Sequence, residues 1–193
     1  MAPPVLIWGV GPVRHACSLG PIVGLENPYS LYLGAPIAAT FPDDAHLAMD
    51  PDLPYDTRLT DNLANLDLQI IVSTRLKDQL EALRLPNVEY LPVAIRNHKN
   101  RSAGTYFVVH PLAPVDCLDL PRCGATFGAV DKDHILDLER LAIDPNRLDP
   151  RRPLFRPKAY YQVTLVTREL ASALSAGGFT GLRWIEVDDY PEI

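Results

Sequence analysis

The chain has 193 residues, enough for one well-buried core and cramped for two, so residues 1–193 are read as a single domain. With 47% hydrophobic and 22% charged residues it lies outside the composition range of disordered chains. Its formal net charge of −6 argues against a nucleic-acid-binding surface, where a basic patch would dominate, and suits a basic protein partner.

Three cysteines, Cys17, Cys117 and Cys123, are too few and too irregularly spaced for a disulfide framework, which points to a reducing compartment. The start lacks a basic n-region, and the apolar run Val5 to Val10 is too short for a signal peptide or a membrane span. A cytoplasmic location without membrane contact is the expectation.

Taken in order, residues 1–40 are rich in Gly and Pro. Val5 to Trp8 reads as a strand and Tyr29 to Leu33 as another short one, with little core-making signal between them. From Phe41 to Asp61 six aspartates, Asp43, Asp44, Asp50, Asp52, Asp56 and Asp61, face the single Arg58 among Pro42, Pro51 and Pro54. This reads as an acidic, proline-stiffened loop, either a solvated connection whose aspartates cap turns or a binding surface. Its spacing lacks the glycine and terminal glutamate of a calcium loop.

The stretch Ile70 to Val93 is echoed without a gap by Thr164 to Val187, 94 positions later. Ser73 aligns with Thr167, Leu76 with Leu170, Leu80 with Leu174 and Tyr90 with Trp184. Each copy reads as a short strand, a hydroxyl residue that caps the next helix, an amphipathic helix and a second strand. Between the copies, Val88 to Ile95 and Tyr106 to Val109 form a long hairpin around the basic turn Arg96 to Gly104, and Val115 to Leu120 is confined to a sheet edge by Pro111 and Pro114. Residues 121–134 read as loop, and Ile135 to Ile143 fits both the helix period, through Ile135, Leu138, Leu141 and Ala142, and a strand, which is preferred. Pro145 to Pro157, with Arg147, Arg151, Arg152 and Arg156, is a basic connector expected to pair with the acidic loop. Tyr160 to Val166 leads into the second copy, whose helix stops at Gly177-Gly178. Asp188, Asp189 and Glu192 form an acidic tail. The fold class expected is α+β: a mixed, largely antiparallel sheet with two similar strand-helix-strand units, about 70–93 and 164–187, packing helices on one face.

No dinucleotide fingerprint, Walker loop, nucleophile elbow or zinc-protease motif is present. His110, Cys117, Cys123 and His134 match no closed zinc pattern, and no metal or cofactor is expected. Cys117 or Cys123 could act as a nucleophile only if folding brought His98, His110 or His134 beside it. The pairs Asp116 with Asp119 and Asp131 with Asp133 fit acid-base chemistry in a cleft and, more often, turn caps. Tyr90 and Trp184 read as core beside the helices rather than as a stacking platform.

The runs FPDDAHLAMDPDLPYDTRLTDNLANLDLQIIVSTRLKDQLE, VEYLPVAI, YFVVHPLAPVDCLD, LFRP, LVTRELASAL and GFTGLRWIEV occur in that order between Phe41 and Val187. In order and spacing they resemble the Imm11 immunity-protein family of bacterial polymorphic toxin systems, including its myxobacterial members; residues 1–40 show no such match. The resemblance implies a non-enzymatic antitoxin that binds a cognate toxin, with Ser73, Leu76, Tyr106, Asp116, Asp119, Phe155, Gly181 and Trp184 as scaffold and no catalytic residue. An acidic face suits a basic toxin, so Asp43, Asp44, Asp50, Asp52, Asp56, Asp61, Asp188 and Asp189 are the candidate toxin-binding residues. Two other classes stand beside it: a small hydrolase-like enzyme using a Cys/His or Asp/His pair, and a regulatory interaction module without a toxin.

Overall fold

A computed structural model describes residues 4–128 and 134–190. In chain order the elements are β1 (Val5–Val10), β2 (Ser18–Leu19), α1 (Ser30–Leu33), β3 (His46–Ala48), β4 (Asn62–Asn65), β5 (Ile70–Ser73), α2 (Thr74–Ala82), β6 (Val88–Arg96) and β7 (Ser102–Pro111). There follow α3 (Leu120–Cys123), β8 (Ala125–Phe127), β9 (Ile135–Leu138), β10 (Leu154–Phe155), β11 (Leu165–Thr167), α4 (Arg168–Ser175) and β12 (Leu182–Glu186). The fold is mixed α+β, mostly sheet, with four short helices among the described residues. No helix there is long and apolar enough to cross a membrane.

The strands form a four-stranded sheet in the order β10-β11-β1-β12, a six-stranded sheet in the order β2-β4-β5-β7-β6-β3, and the separate hairpin β8-β9. Pairing is antiparallel except for β2 with β4 and β3 with β6. The six-stranded sheet nearly closes on itself. Its first strand, β2, pairs with β4, and the chain just beyond it reaches the opposite edge: the Gly20 amide donates to Ala48 O at 2.9 Å and the Val23 amide to His46 O at 2.8 Å.

Alternation of side chains along the central strands explains the layers. Leu91, Val93 and Ile95 of β6, Tyr106 and Val108 of β7 and Ile71 of β5 point into the near-barrel with Cys17, Leu19, Leu47 and Leu63. The other faces of these strands carry Ile70, Val72, Phe107 and Val109, which pack against Leu76 and Leu80 of α2. The same cluster takes in Leu6 and Trp8 of β1, Val166 of β11 and Leu170 and Leu174 of α4, so both helices cover one layer common to the two sheets. The far face of the four-stranded sheet buries Val5, Ile7, Leu165 and Ile185 against Cys117, Cys123, Ile135, Leu138 and Tyr160.

Several expectations are corrected. The sheet is divided in two, and the strand read at Val5 to Trp8 forms as β1 but is an inner strand with all four residues buried, not a weakly core-forming segment. Tyr29 to Leu33 belongs to a helical turn rather than a strand: the Ser30 hydroxyl donates to Asn27 O at 2.7 Å, and Gly34 ends α1 at φ 64. The acidic loop contains the edge strand β3, held by Leu47 and Met49, both buried. The segment 121–134 holds most of α3 and all of β8, and only Leu165–Thr167 of the run into the second unit is strand.

Candidate functional site

The stretch Asp43 to Asp56 wraps β3 as an apron. Asp43, Asp44 and Asp52 are exposed and Asp50 and Asp56 half-buried. Asp50 Oδ1 accepts the Asp52 amide at 3.0 Å, a turn-forming bond, and Asp56 meets His15 Nδ1 at 3.2 Å. Among the described residues no ion pair involves Asp43, Asp44, Asp50 or Asp52. Tyr55, in the middle of the apron, is 85% exposed, the most exposed large hydrophobic residue described. Sequence reading passed over it, although a tyrosine between Pro54 and Asp56 in an acidic loop has no apolar neighbour with which to be buried.

Asp61, the last of the six, has a different place. Its carboxylate accepts from Ser73 Oγ at 2.7 Å, the Thr180 amide at 2.9 Å, Thr180 Oγ1 at 3.0 Å and Arg75 Nη2 at 3.2 Å. Arg75 also donates to the carbonyls of Gly177 and Gly178 and stacks over Phe179 at 4.2 Å. The start of α2 is thereby tied to the turn that follows α4. Burial pulls the Asp61 pKa upward, but the bonds from Arg75, Thr180 and Ser73 outweigh it and hold the carboxyl at about 2. Asp188 and Asp189 are exposed on a short 3-10 helix whose Val187 packs in the cluster beneath the four-stranded sheet.

The basic connector does not pair with the apron. Arg147 binds Asp116 and Asp144, Arg151 binds Asp149, and Arg152 donates to the carbonyls of Leu112 and Ala113. Arg156 is 1% exposed; its Nη2 donates to Gln69 Oε1 at 2.8 Å, and burial lowers its pKa to about 10. Arg147 and Arg151 are held by nearby acids, Arg152 by backbone carbonyls and Arg156 by Gln69, so their ion pairs and hydrogen bonds lie away from the apron.

The candidate nucleophiles are buried. Burial raises the Cys117 thiol to about 12 and also raises that of Cys123, the reverse of what an activated thiolate requires. Cys123 Sγ bonds to the backbone of Ala142, and His110 Nε2 to Ala35 O. Asp119 is engaged by Arg122, as Asp116 is by Arg147. Asp131 and Asp133 lie outside the described residues. Among those described, no group of three or more His, Cys, Asp or Glu could hold a metal ion. A cavity of about 690 Å³ between the helices and the connector is lined mainly by apolar groups such as Leu83, Leu85, Leu148, Phe155 and Leu170. Tyr90 and Trp184 are half-buried and pack on the helix layer; Trp184 Nε1 donates to Ser175 Oγ at 2.8 Å and its ring meets Trp8 edge-on.

The immunity protein family Imm11 matches residues 20–189, nearly the whole chain. The chain belongs to the Imm11 family. The match begins just after β2 and takes in the segment around Gly20 and Val23 that closes the near-barrel, N-terminal to Phe41. No curated protein matches. In this Imm11 chain, the apron, β3 and the Asp61 clamp all fall within the matched region.

Proposed function

We propose that this chain is an immunity protein that binds a cognate toxin and neutralises it without catalysis, and that the toxin domain it meets is basic. The observation that carries the second part is the distribution of charge pairing. Several acidic residues, such as Asp61, Asp116, Asp149 and Glu186, have an internal arginine, whereas among the described residues Asp43, Asp44, Asp50 and Asp52, clustered within residues 43–52, take part in no ion pair. Unpaired charge gathered on one surface steers an oppositely charged partner and raises its association rate. In this reading Asp43, Asp44, Asp50, Asp52 and Asp56 form the approach surface, Asp188 and Asp189 are further candidate contacts, and Asp61 holds the scaffold by tying α2 to the turn after α4. The units about 70–93 and 164–187 are two uses of one scaffold, which carries the recognition surface within a single cytoplasmic domain. The buried, high-pKa cysteines support a role that does not rest on covalent chemistry.

The test is binding to the C-terminal domain of the toxin encoded beside this chain. Charge reversal by Asp43→Lys, Asp44→Lys, Asp50→Lys and Asp52→Lys should slow association by about tenfold or more at low salt, with the difference shrinking at high salt. Equal affinity of both forms at low and high salt would reject the acidic surface.

A further inference from the structure

The turn between β4 and β5 presents two leucines to solvent. Leu66 is 71% and Leu68 54% exposed, the highest values after Tyr55 among the described large hydrophobics. Leu68 holds φ at 51°, a left-handed conformation that disfavours leucine.

Yet the turn is held from all sides. Asn65 accepts the Gln69 amide at 3.1 Å and donates to the Gln69 carbonyl at 2.7 Å. The Asp67 carbonyl accepts from Tyr32 Oη at 2.9 Å and Gln69 Nε2 at 3.0 Å, while Asp67 Oδ2 accepts the Ile22 amide at 2.6 Å. Beneath it lies Arg156, whose Nη2 points at Leu68 O and Gln69 Oε1 and whose Nε is buried without a partner. No carboxylate pairs with this buried guanidinium among the described residues, a costly arrangement. A turn that only joined two strands would need neither the strained leucine nor the buried cation. Together they fix an exposed apolar turn whose ordering cost is already met before any partner arrives.

The surroundings indicate what that partner carries. Asp67 lies between the two leucines and holds Ile22; the next residue, Val23, is 47% exposed, and Gly24 stands beside the Asp44 carboxylate. The acidic apron thus continues onto the tip.

We propose that the β4-β5 turn is the element of this chain that enters the toxin, Leu66 and Leu68 occupying an apolar recess while Asp44 and Asp67 meet cationic side chains at its rim. This rests on the immunity reading above and names the insertion point that the apron brings into place.

The experiment measures binding of the full chain to the neighbouring toxin domain, comparing wild type, Leu66→Asp with Leu68→Asp, and the four-site charge reversal. The leucine double variant should bind at least about 30-fold more weakly, chiefly through faster dissociation, with a wild-type melting temperature. Leu68→Gly relieves the backbone strain, so it should melt no lower than wild type and still bind more weakly. Wild-type affinity in both leucine variants, with the charge reversal still impaired, overturns the inserted turn and leaves the immunity reading standing. Absence of binding by the wild-type chain overturns both. A wild-type dimer in sedimentation that Leu66→Asp with Leu68→Asp dissolves would assign the tip to a second copy instead and overturn the toxin as its occupant.

Discussion

Asp61 shows how one carboxylate in an acidic stretch differs from its neighbours. Five aspartates of the stretch precede it in the apron, while Asp61 sits at the start of β4 with its side chain 14% exposed and bonded to Ser73, Arg75 and Thr180. Its folded pKa of about 2 lies below the roughly 3.9 of an unfolded aspartate. The stabilisation is therefore complete above about pH 4 and is lost as the pH falls from there toward 2, on the order of 2 kcal/mol in all. Asp61→Asn should lower stability at neutral pH by about that amount and flatten the acid limb of a denaturant-midpoint curve taken between pH 2 and 5. An acid limb identical to wild type would show that the clamp contributes nothing. Composition and spacing had grouped Asp61 with the apron, because its partners Arg75 and Thr180 are distant in sequence and only folding brings Thr180 within reach.

At the level of elements, α2 and α4 were the legible part. A hydroxyl followed by leucines at helical spacing predicted caps at Ser73 or Thr74 and at Thr167, and the structure chooses Ser73: its side chain and that of Thr167 each accept the amide three residues on at 3.3 Å. Thr167→Ala should cost about 1 kcal/mol in chemical denaturation, and Ser73→Ala more, since the Ser73 hydroxyl also donates to Asp61. Equal losses at the two caps would contradict the second role of Ser73. The hairpin β6-β7 was legible for a similar reason, as its alternating residues and its turn are contiguous. By contrast the strand at Val5 to Trp8 could be read but its inner place in a sheet was not legible: the six residues of β1 pair with β11 and β12, whose partner residues lie more than 150 positions away. Nor was β3, a three-residue strand within aspartates and prolines whose burial depends on β6 and the segment around Val23.

For the whole molecule, closure comes from long-range contacts that no local pattern announces. Asn62 accepts from Trp8 Nε1 at 3.2 Å and donates to the carbonyls of Gly9 and Gly181, joining the two sheets through a buried amide. Gly181 is required there: at φ 79, an added Cβ would come within 2.4 Å of Asn62 O. The family resemblance and the acidic balance were readable from sequence, but the exposed turn at Leu66 and Leu68 was not, because alternating apolar residues before Ile70 look like ordinary strand until their exposure is known. We propose that this Imm11 chain disarms a toxin encoded beside it. The most direct measurement of that claim is bacterial growth while the C-terminal domain of that toxin is expressed with and without this chain. Growth arrest relieved by co-expression, with the two proteins recovered as a complex, is the predicted result; arrest that persists at full expression of the folded chain would contradict it.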